Sequence, residues 1–414
     1  MANSLAKPHP LGTGFWQLLS SSSMSNLADG LFKVGLPLVA LTVTRSPALI
    51  AGVMTALTLP WLIAALPAGV VVDRSDRRKL MLFANSGRAL ILVVLAVLTA
   101  SEALTVWVIY AVAFGAGFAE VVYDTAAQSI LPQVVSRDAL TRANGRLYAA
   151  ELTANEFVGP PLAGFLVTIG AVVAFATPAG LWLLAATILF LMKGSFRVQG
   201  QSRQPMRTEI GDGLGFLWRN PVLRTLTIMT GIFNLASNAT MAVLVVYAVG
   251  ASSAIGLNET GYGLLLASIA AGSVLGTAVA GAIERRVGRS RSLALGFAAA
   301  VLFIGAPALT ANPIALAIGF FVGGVGNMIW NVIAVSLRQR ITPDAMLGRI
   351  IGAHRIFAWG GRPLGAALGG LIAELFGLVA VFAVMGVLAL SLLAMMRWLS
   401  DHAIESAERD FPPA

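Results

Sequence analysis

The chain has 414 residues, 57% of them hydrophobic and only 11% charged. With a mean hydropathy of +0.83, it falls outside the soluble globular range and among membrane proteins. It has no cysteine, which excludes disulfides, thiolate metal sites and cysteine nucleophiles, and its three histidines, His9, His354 and His402, fit no hydrolase or metalloprotease pattern.

Apolar windows of the ~20 residues needed to cross about 30 Å of hydrocarbon recur from end to end. Twelve are predicted, at 15–43, 48–72, 80–100, 104–131, 147–168, 173–192, 225–248, 260–282, 292–309, 313–337, 350–374 and 378–396. Gly and Pro interrupt many of them, which suits helices whose freed backbone groups are satisfied by neighbouring helices. The period-two alternation of a lipid-facing barrel strand is absent. The opening stretch "MANSLAKPHPLGTG" is short and polar with no small-residue cleavage site, so no removable signal peptide is expected. Between spans six and seven lies the longest polar segment, "KGSFRVQGQSRQPMRTEIGDGLGFLWRNP", with a short surface helix expected around Glu209–Trp218 and ended before Pro221. The expected division is a first bundle over 1–193, a cytoplasmic central loop over 194–222, and a second bundle with its tail over 223–414.

The net charge of +9 reports orientation and does not point to nucleic acid. If both termini are cytoplasmic, 23 of the 28 Lys and Arg lie in internal connections and tails. Arg45 alone is external, and Lys33, Arg88, Arg355 and Arg362 fall inside spans. That asymmetry is the positive-inside rule.

The two halves repeat one another. "DALTRANG" after span four matches "DAMLGRIIG" after span ten, and "GPPLAGFL" in span five matches "GRPLGAAL" in span eleven. The loop "GVVVDRSDRRKLM" (69–81) has a worn counterpart in "GAIERRVGR" (281–289). A duplicated six-helix unit packs around a pseudo-two-fold axis in transporters, with the substrate site near the bilayer midplane.

At these residues the chain resembles the major facilitator superfamily, whose loop signature between helices two and three is Gly-x-x-x-Asp-Arg-x-x-Arg-Arg/Lys-Lys. "VDRSDRRKLM" and "GFLWRNPVLRTL" are most similar to the branch of macrolide-efflux pumps and enterobactin exporters. The resemblance implies an all-α membrane protein with twelve transmembrane helices in two pseudo-symmetric six-helix bundles. It also implies a cytoplasmic latch formed by Gly69, Asp73, Arg74, Arg77, Arg78 and Asp124. In that latch Asp73 would cap the start of helix eleven around Leu347–Ile350, where exposed N–H groups favour an anion, and Arg77 would pair with Asp124. A plain basic turn that fixes topology is the simpler reading of the same loop. Two departures from the pattern stand out: helix four has no Arg, and Asn155 takes the place of a glycine in the partial series Gly159, Pro160, Gly164.

Ionisable groups inside spans are costly unless paired or wetted, so each is a functional candidate. Helix one carries Asn26, Asp29 and Lys33 on one face, where Asp29–Lys33 is either a structural pair or part of proton coupling. Glu120, Tyr123 and Asp124 share a face of helix four, and Glu151, Asn155 and Glu156 follow in helix five. Asp29, Glu120, Glu151 and Glu156 are the proton-coupling candidates, with Glu120 and Glu156 foremost, since a carboxyl poised between its two forms can carry a proton as access alternates. Arg355, Trp359 and Arg362 form a stripe on helix eleven that either balances the acids or grips an anionic group. Asn234, Asn238, Asn327, Trp330 and Asn331 complete the substrate-cavity candidates together with Asn26, Tyr123 and Asn155, although single Asn and Trp residues in spans also serve helix packing.

No P-loop occurs, so a gradient must supply the energy. The function expected is secondary, proton-coupled export of amphiphilic small molecules such as drugs or siderophores. A lipid flippase of the same fold, or a non-transporting sensor or scaffold, are the alternatives. Neither catalysis, a metal nor a cofactor is expected. The partners expected are the lipid bilayer, a small amphiphile and protons, without nucleic acid, the chain acting as a monomer. An Arg-to-Lys usage of 24 to 4 points to a bacterial inner membrane.

Overall fold

The computed structural model describes residues 11–136, 139–194, 196–197 and 206–410. They form helices in chain order: α1 Thr13–Ala40, α2 Pro47–Arg74, α3 Arg77–Ala100, α4 Val106–Val134, α5 Leu140–Glu151, α6 Gly159–Ile169, α7 Ala171–Leu191, α8 Met206–Arg219, α9 Pro221–Ala248, α10 Glu259–Val287, α11 Arg289–Leu309, α12 Pro313–Arg340, α13 Asp344–Phe376, α14 Leu378–Ser391 and α15 Asp401–Asp410. A π-helical segment, Leu152–Val158, joins α5 to α6, and a 3-10 turn, Leu392–Leu399, extends α14. With α5–α6 counted as one helix, these are the twelve spans of the sequence reading plus the surface helix α8 and the terminal helix α15.

Local chemistry sets the helix ends. Asn220 and Asn312 each precede a proline at the first helical position, and each side-chain oxygen accepts from the next two free N–H groups, at 3.0 and 3.1 Å in α9 and at 2.9 and 3.1 Å in α12. Gly288 (φ 85°) and Gly377 (φ 86°) let α10 turn straight into α11, and α13 into α14.

Among the described residues, nine helices are both long and apolar enough to cross a membrane. The three spans that fall short are α1, the broken α5–α6 and α13. They are the ones that carry the Asn26–Lys33, Glu151–Glu156 and Arg355–Arg362 groups, so polarity has gathered where function was expected.

Helix five was expected to be one span over 147–168, but it starts at Leu140 and slips into a π turn. Pro160 and Pro161 have no N–H to return to the preceding turn, and Gly159 N donates to Ala154 O, five residues back.

By contact the chain forms two units: Met1–Val39 with Ile63–Gly200, and Ala40–Leu62 with Gln201–Ala414. In the first, Gly30 of α1 meets Asn155 and Gly159 backbone to backbone: a Cβ on Gly159 would lie 2.8 Å from Gly30 Cα. Small residues at both positions allow this approach.

In the second unit, Glu374 of α13 holds the start of α2, accepting from Ser46 Oγ at 3.0 Å and from Ala48 N at 3.4 Å. The helix α8 lies on α13, with Trp218 and Phe357 rings 5.5 Å apart. The terminal helix α15 pins the α10–α11 turn. Asp401 accepts from Ser290 N at 3.1 Å, and Glu408 takes Arg289 Nη1 at 2.6 Å.

Candidate functional site

The first unit buries a charge network across three helices. Arg88 of α3, 1% exposed, donates to Asp29 of α1 at 2.6 Å and to Ser25 Oγ at 3.1 Å, and also bonds Asn85 Oδ1. Its guanidinium lies over the rings of Tyr123 (4.9 Å) and Trp182 (4.7 Å), so aromatic faces take the place of water. One turn along α1, Lys33 reaches Glu120 of α4 at 3.0 Å. The Asp29–Lys33 pair left open by the sequence is therefore replaced by two interhelical pairs. Intrahelical spacing suggested the first arrangement, but Arg88 and Glu120 offer closer partners once the helices pack. Sequence reasoning placed Arg88 inside a span but gave it no role; its signal was a lone arginine in the middle of an apolar span.

Beside the network lies a cavity of about 360 Å³ within the first unit. Four of the expected residues line it: Asn26, Tyr123, Asp124 and Glu151. Ser22, Gln128, Asn144 and Tyr148 join them and were not anticipated. The α5 residues Asn144, Leu147, Tyr148 and Glu151 recur at three- and four-residue spacing, which puts them on one helix face. The Tyr123 hydroxyl is buried, and among the described residues it has no hydrogen-bond partner. Asn26 donates its amide N–H to Ser22 O at 2.8 Å.

Asp124 is not where the latch reading put it. Among the described residues it makes no ion pair, and it faces the cavity. Arg77 sits at the start of α3, where its Nη1 lies 2.6 Å from the Gln133 amide oxygen when that amide is turned to accept, and where its backbone N–H reaches Phe196 O. The reason is depth: Asp124 lies about three turns up from the end of α4, while Gln133 is at that end. Arg78 donates to the Met192 carbonyl. The second acid of the loop, Asp76, caps α3 by accepting from Lys79 N at 3.2 Å and also takes Phe196 N at 3.2 Å. The charged loop thus fastens the chain leaving α7. The side chain of Asp73 lies outside the described residues; Gly69 and Arg74 sit in the last turns of α2.

In the π segment Glu156 is exposed, and Asn155 contributes its backbone to the contact with Gly30. In the second unit Arg355 and Arg362 flank Trp359, at 4.3 and 5.3 Å from its ring, and Trp61 meets the same ring edge-on at 4.1 Å. Asn234 donates to Ala358 O at 2.7 Å, Asn238 to Asn234 O at 2.9 Å, and Trp330 packs on Phe297 at 4.9 Å. Asn234 and Trp330 are taken up in helix packing, the second of the readings the sequence allowed, while Asn238 bonds back onto its own helix. Asn327 is half-buried and Asn331 exposed.

A helical chain of twelve spans, nine of them long and apolar enough to cross a membrane among the described residues, with buried ion pairs and a polar cavity in its first unit, is a polytopic membrane transporter of the major facilitator fold. The profile of the transmembrane secretion effector family matches residues 9–411, and the chain belongs to that family. It is 28% identical over 354 residues to the multidrug efflux pump Tap of Mycolicibacterium fortuitum, covering 81% of this chain and 82% of the relative. It is 26% identical over 411 residues to the enterobactin exporter EntS of Salmonella choleraesuis, covering 95% of each. Among solved structures, the nucleoside transporter NupG superposes with a TM-score of 0.72 at 15% identity, over 93% of this chain and 99% of that one. A bacterial homologue of the iron transporter ferroportin gives 0.71 at 16%, over 94% and 99%. Both share the fold.

Proposed function

We propose that the chain is a secondary exporter of amphiphilic small molecules in a bacterial inner membrane, with both termini cytoplasmic, in which protons enter as cargo leaves by alternating access. The six-plus-six division around the 194–222 loop is part of this reading, as is a role for Asp73 in holding the cytoplasmic side shut. The names of Tap and EntS support export of drug-like or siderophore-like cargo.

The observation that carries the reading is the pair of ion pairs, Asp29–Arg88 and Lys33–Glu120, spread over α1, α3 and α4. Removing such charges from water costs several kcal/mol per ion, and apolar residues of similar volume serve packing as well or better. A sensor or scaffold has no need of them. Protonation of Glu120 releases Lys33, which gives the proton a mechanical consequence between two helices. Arg88 supplies the fixed cation that helix four lacks.

The test is ethidium uptake into inside-out vesicles from a pump-deficient host overproducing the chain. Respiration acidifies the vesicle lumen, and uptake that a protonophore abolishes and Glu120→Gln prevents is the result expected. Uptake at the unmodified rate in Glu120→Gln removes Glu120 as the proton carrier. Lipid flux with indifference to dyes moves the chain to the flippase reading.

A further inference from the structure

One buried arginine of the second unit is left without a counter-charge. Arg338, in the last turn of α12, is 8% exposed. Among the described residues it makes no ion pair, hydrogen bond or ring contact, and its Nε is a buried donor with no acceptor. A guanidinium keeps its charge, and a buried ion without a partner is strongly unfavourable. The chain shows elsewhere how it meets that demand: Arg88, 1% exposed, has Asp29, Ser25, Asn85 and two aromatic faces. The acid that reaches the end of α12 is Glu408, and it is already shared by Arg289 at 2.6 Å and Arg340 at 3.8 Å.

The polar groups near Arg338 are donors too. Thr342, 5% exposed, follows four residues on, and the bond from Ile341 N to Leu337 O (3.1 Å) carries the helical turn almost to it, so the two side chains share a side of the helix. The Thr342 hydroxyl is buried and has no partner among the described residues. His354 of α13, 6% exposed, lies close enough for the Arg338 charge to act on it. Its Nδ1 is 3.0 Å from Thr227 Oγ1 of α9. Among the described residues the Thr227 hydroxyl has no other acceptor, so it donates to Nδ1 and the ring proton sits on Nε2, itself a donor. One full positive charge and two further donors thus gather in a buried patch with no carboxylate paired to them. Buried polar groups without partners are rare without a reason, and this set calls for an anion with several acceptor oxygens.

We propose that Arg338, Thr342 and His354 bind a phosphate-type oxyanion where α12 meets α13. The proposal stands apart from the exporter reading and does not need it. The guanidinium fork takes two oxygens, and the Thr342 hydroxyl and the His354 Nε2–H each take one. Arg338 sits at the end of a span, the level at which basic pockets between helices meet lipid headgroups, so the phosphate comes either from a headgroup or from solution.

The experiment is thermal unfolding of the purified, delipidated full-length protein in a neutral detergent. The first probe is sodium phosphate, with ionic strength held constant by sodium chloride. The second is dioleoylphosphatidylglycerol, set against dioleoylglycerol, which has the same tails and no phosphate. A rise in apparent Tm of about 3–5 °C is expected at a concentration of the effective probe roughly a hundredfold above half-saturation. Arg338→Met removes the charge and keeps an apolar stem, and is expected to show no rise with either probe. Should Arg338→Met fail to fold, Thr342→Val, which keeps the shape and loses the hydroxyl, is expected to raise the half-saturating concentration about tenfold, the equivalent of one hydrogen bond to a charged group. A rise with phosphate that the variant loses assigns a free oxyanion, and a rise with the phospholipid alone assigns a headgroup; both support the site. No rise with either probe, an equal rise in folded Arg338→Met, or, where that variant does not fold, an unchanged half-saturation in Thr342→Val overturns the proposal.

Discussion

Replacing Gly30 by Ala puts a methyl group where, of the described glycines of the first unit, a Cβ has the least room. The new Cβ overlaps the carbonyl oxygen of Asn155 and lies 2.9 Å from Asn155 Cα, whereas ordinary contacts begin near 3.4 Å. The obstacle is backbone in a π segment already anchored by Pro160 and Gly159, so α1 and helix five must part by about half an ångström or more. Overpacking of this kind costs about 1–3 kcal/mol, partly offset by the ~1 kcal/mol that Ala gains over Gly in a helix.

Gly35→Ala on the same helix isolates the overlap, because nothing lies within 4 Å of its Cβ and the gain in propensity is common to both variants. The difference between the two variants is then the overlap itself, about 1–3 kcal/mol, or about 2–4 °C in apparent Tm per kcal/mol. Thermal unfolding of the purified protein measures it, with transport assayed alongside, since Asp29 neighbours Gly30 and must keep its bond to Arg88. Equal stability and equal activity of Gly30→Ala and Gly35→Ala would refute the close-contact argument.

Arg88→Gln leaves Asp29 buried without its cation and is expected to lower stability by about 3–5 kcal/mol. Asp29→Asn/Arg88→Gln should recover part of that loss in the same unfolding assay, and a double variant no better than the single one argues against pairing as the cause. Asp76→Ala removes the α3 cap and should cost about 0.5–2 kcal/mol while leaving transport measurable. Asp73→Asn tests the latch: insertion and folding should persist while transport falls sharply, and near-normal flux removes the latch.

The order and extent of the spans were legible because apolar runs of membrane length have few competing explanations. The stripe Asn26–Asp29–Lys33 was legible from helical spacing, which puts the three groups on one face. Their partners were not: Arg88 and Glu120 lie 59 and 87 residues away along the chain from Asp29 and Lys33, and only packing decides which opposite charge is nearest. The π segment escaped notice because two prolines after a glycine read equally well as a bend. Asp76 could have been found, since an Asp directly before a basic helical turn is a standard cap. The Arg77–Asp124 pairing carried over by resemblance did not fit this chain, in which Gln133 occupies the depth that Arg77 can reach. The asparagines of α9 show the limit in the other direction: an amide in a span satisfies packing and ligand readings equally until its donor is placed.

The most direct test of the account is the movement of protons driven by cargo alone. Purified protein is reconstituted into vesicles holding a trapped pH-sensitive dye, with no pH gradient imposed, and ethidium is added outside. The account expects ethidium to enter down its gradient and the lumen to become more alkaline as protons leave in exchange, with both signals lost in Glu120→Gln. Ethidium accumulation at a constant internal pH would contradict it.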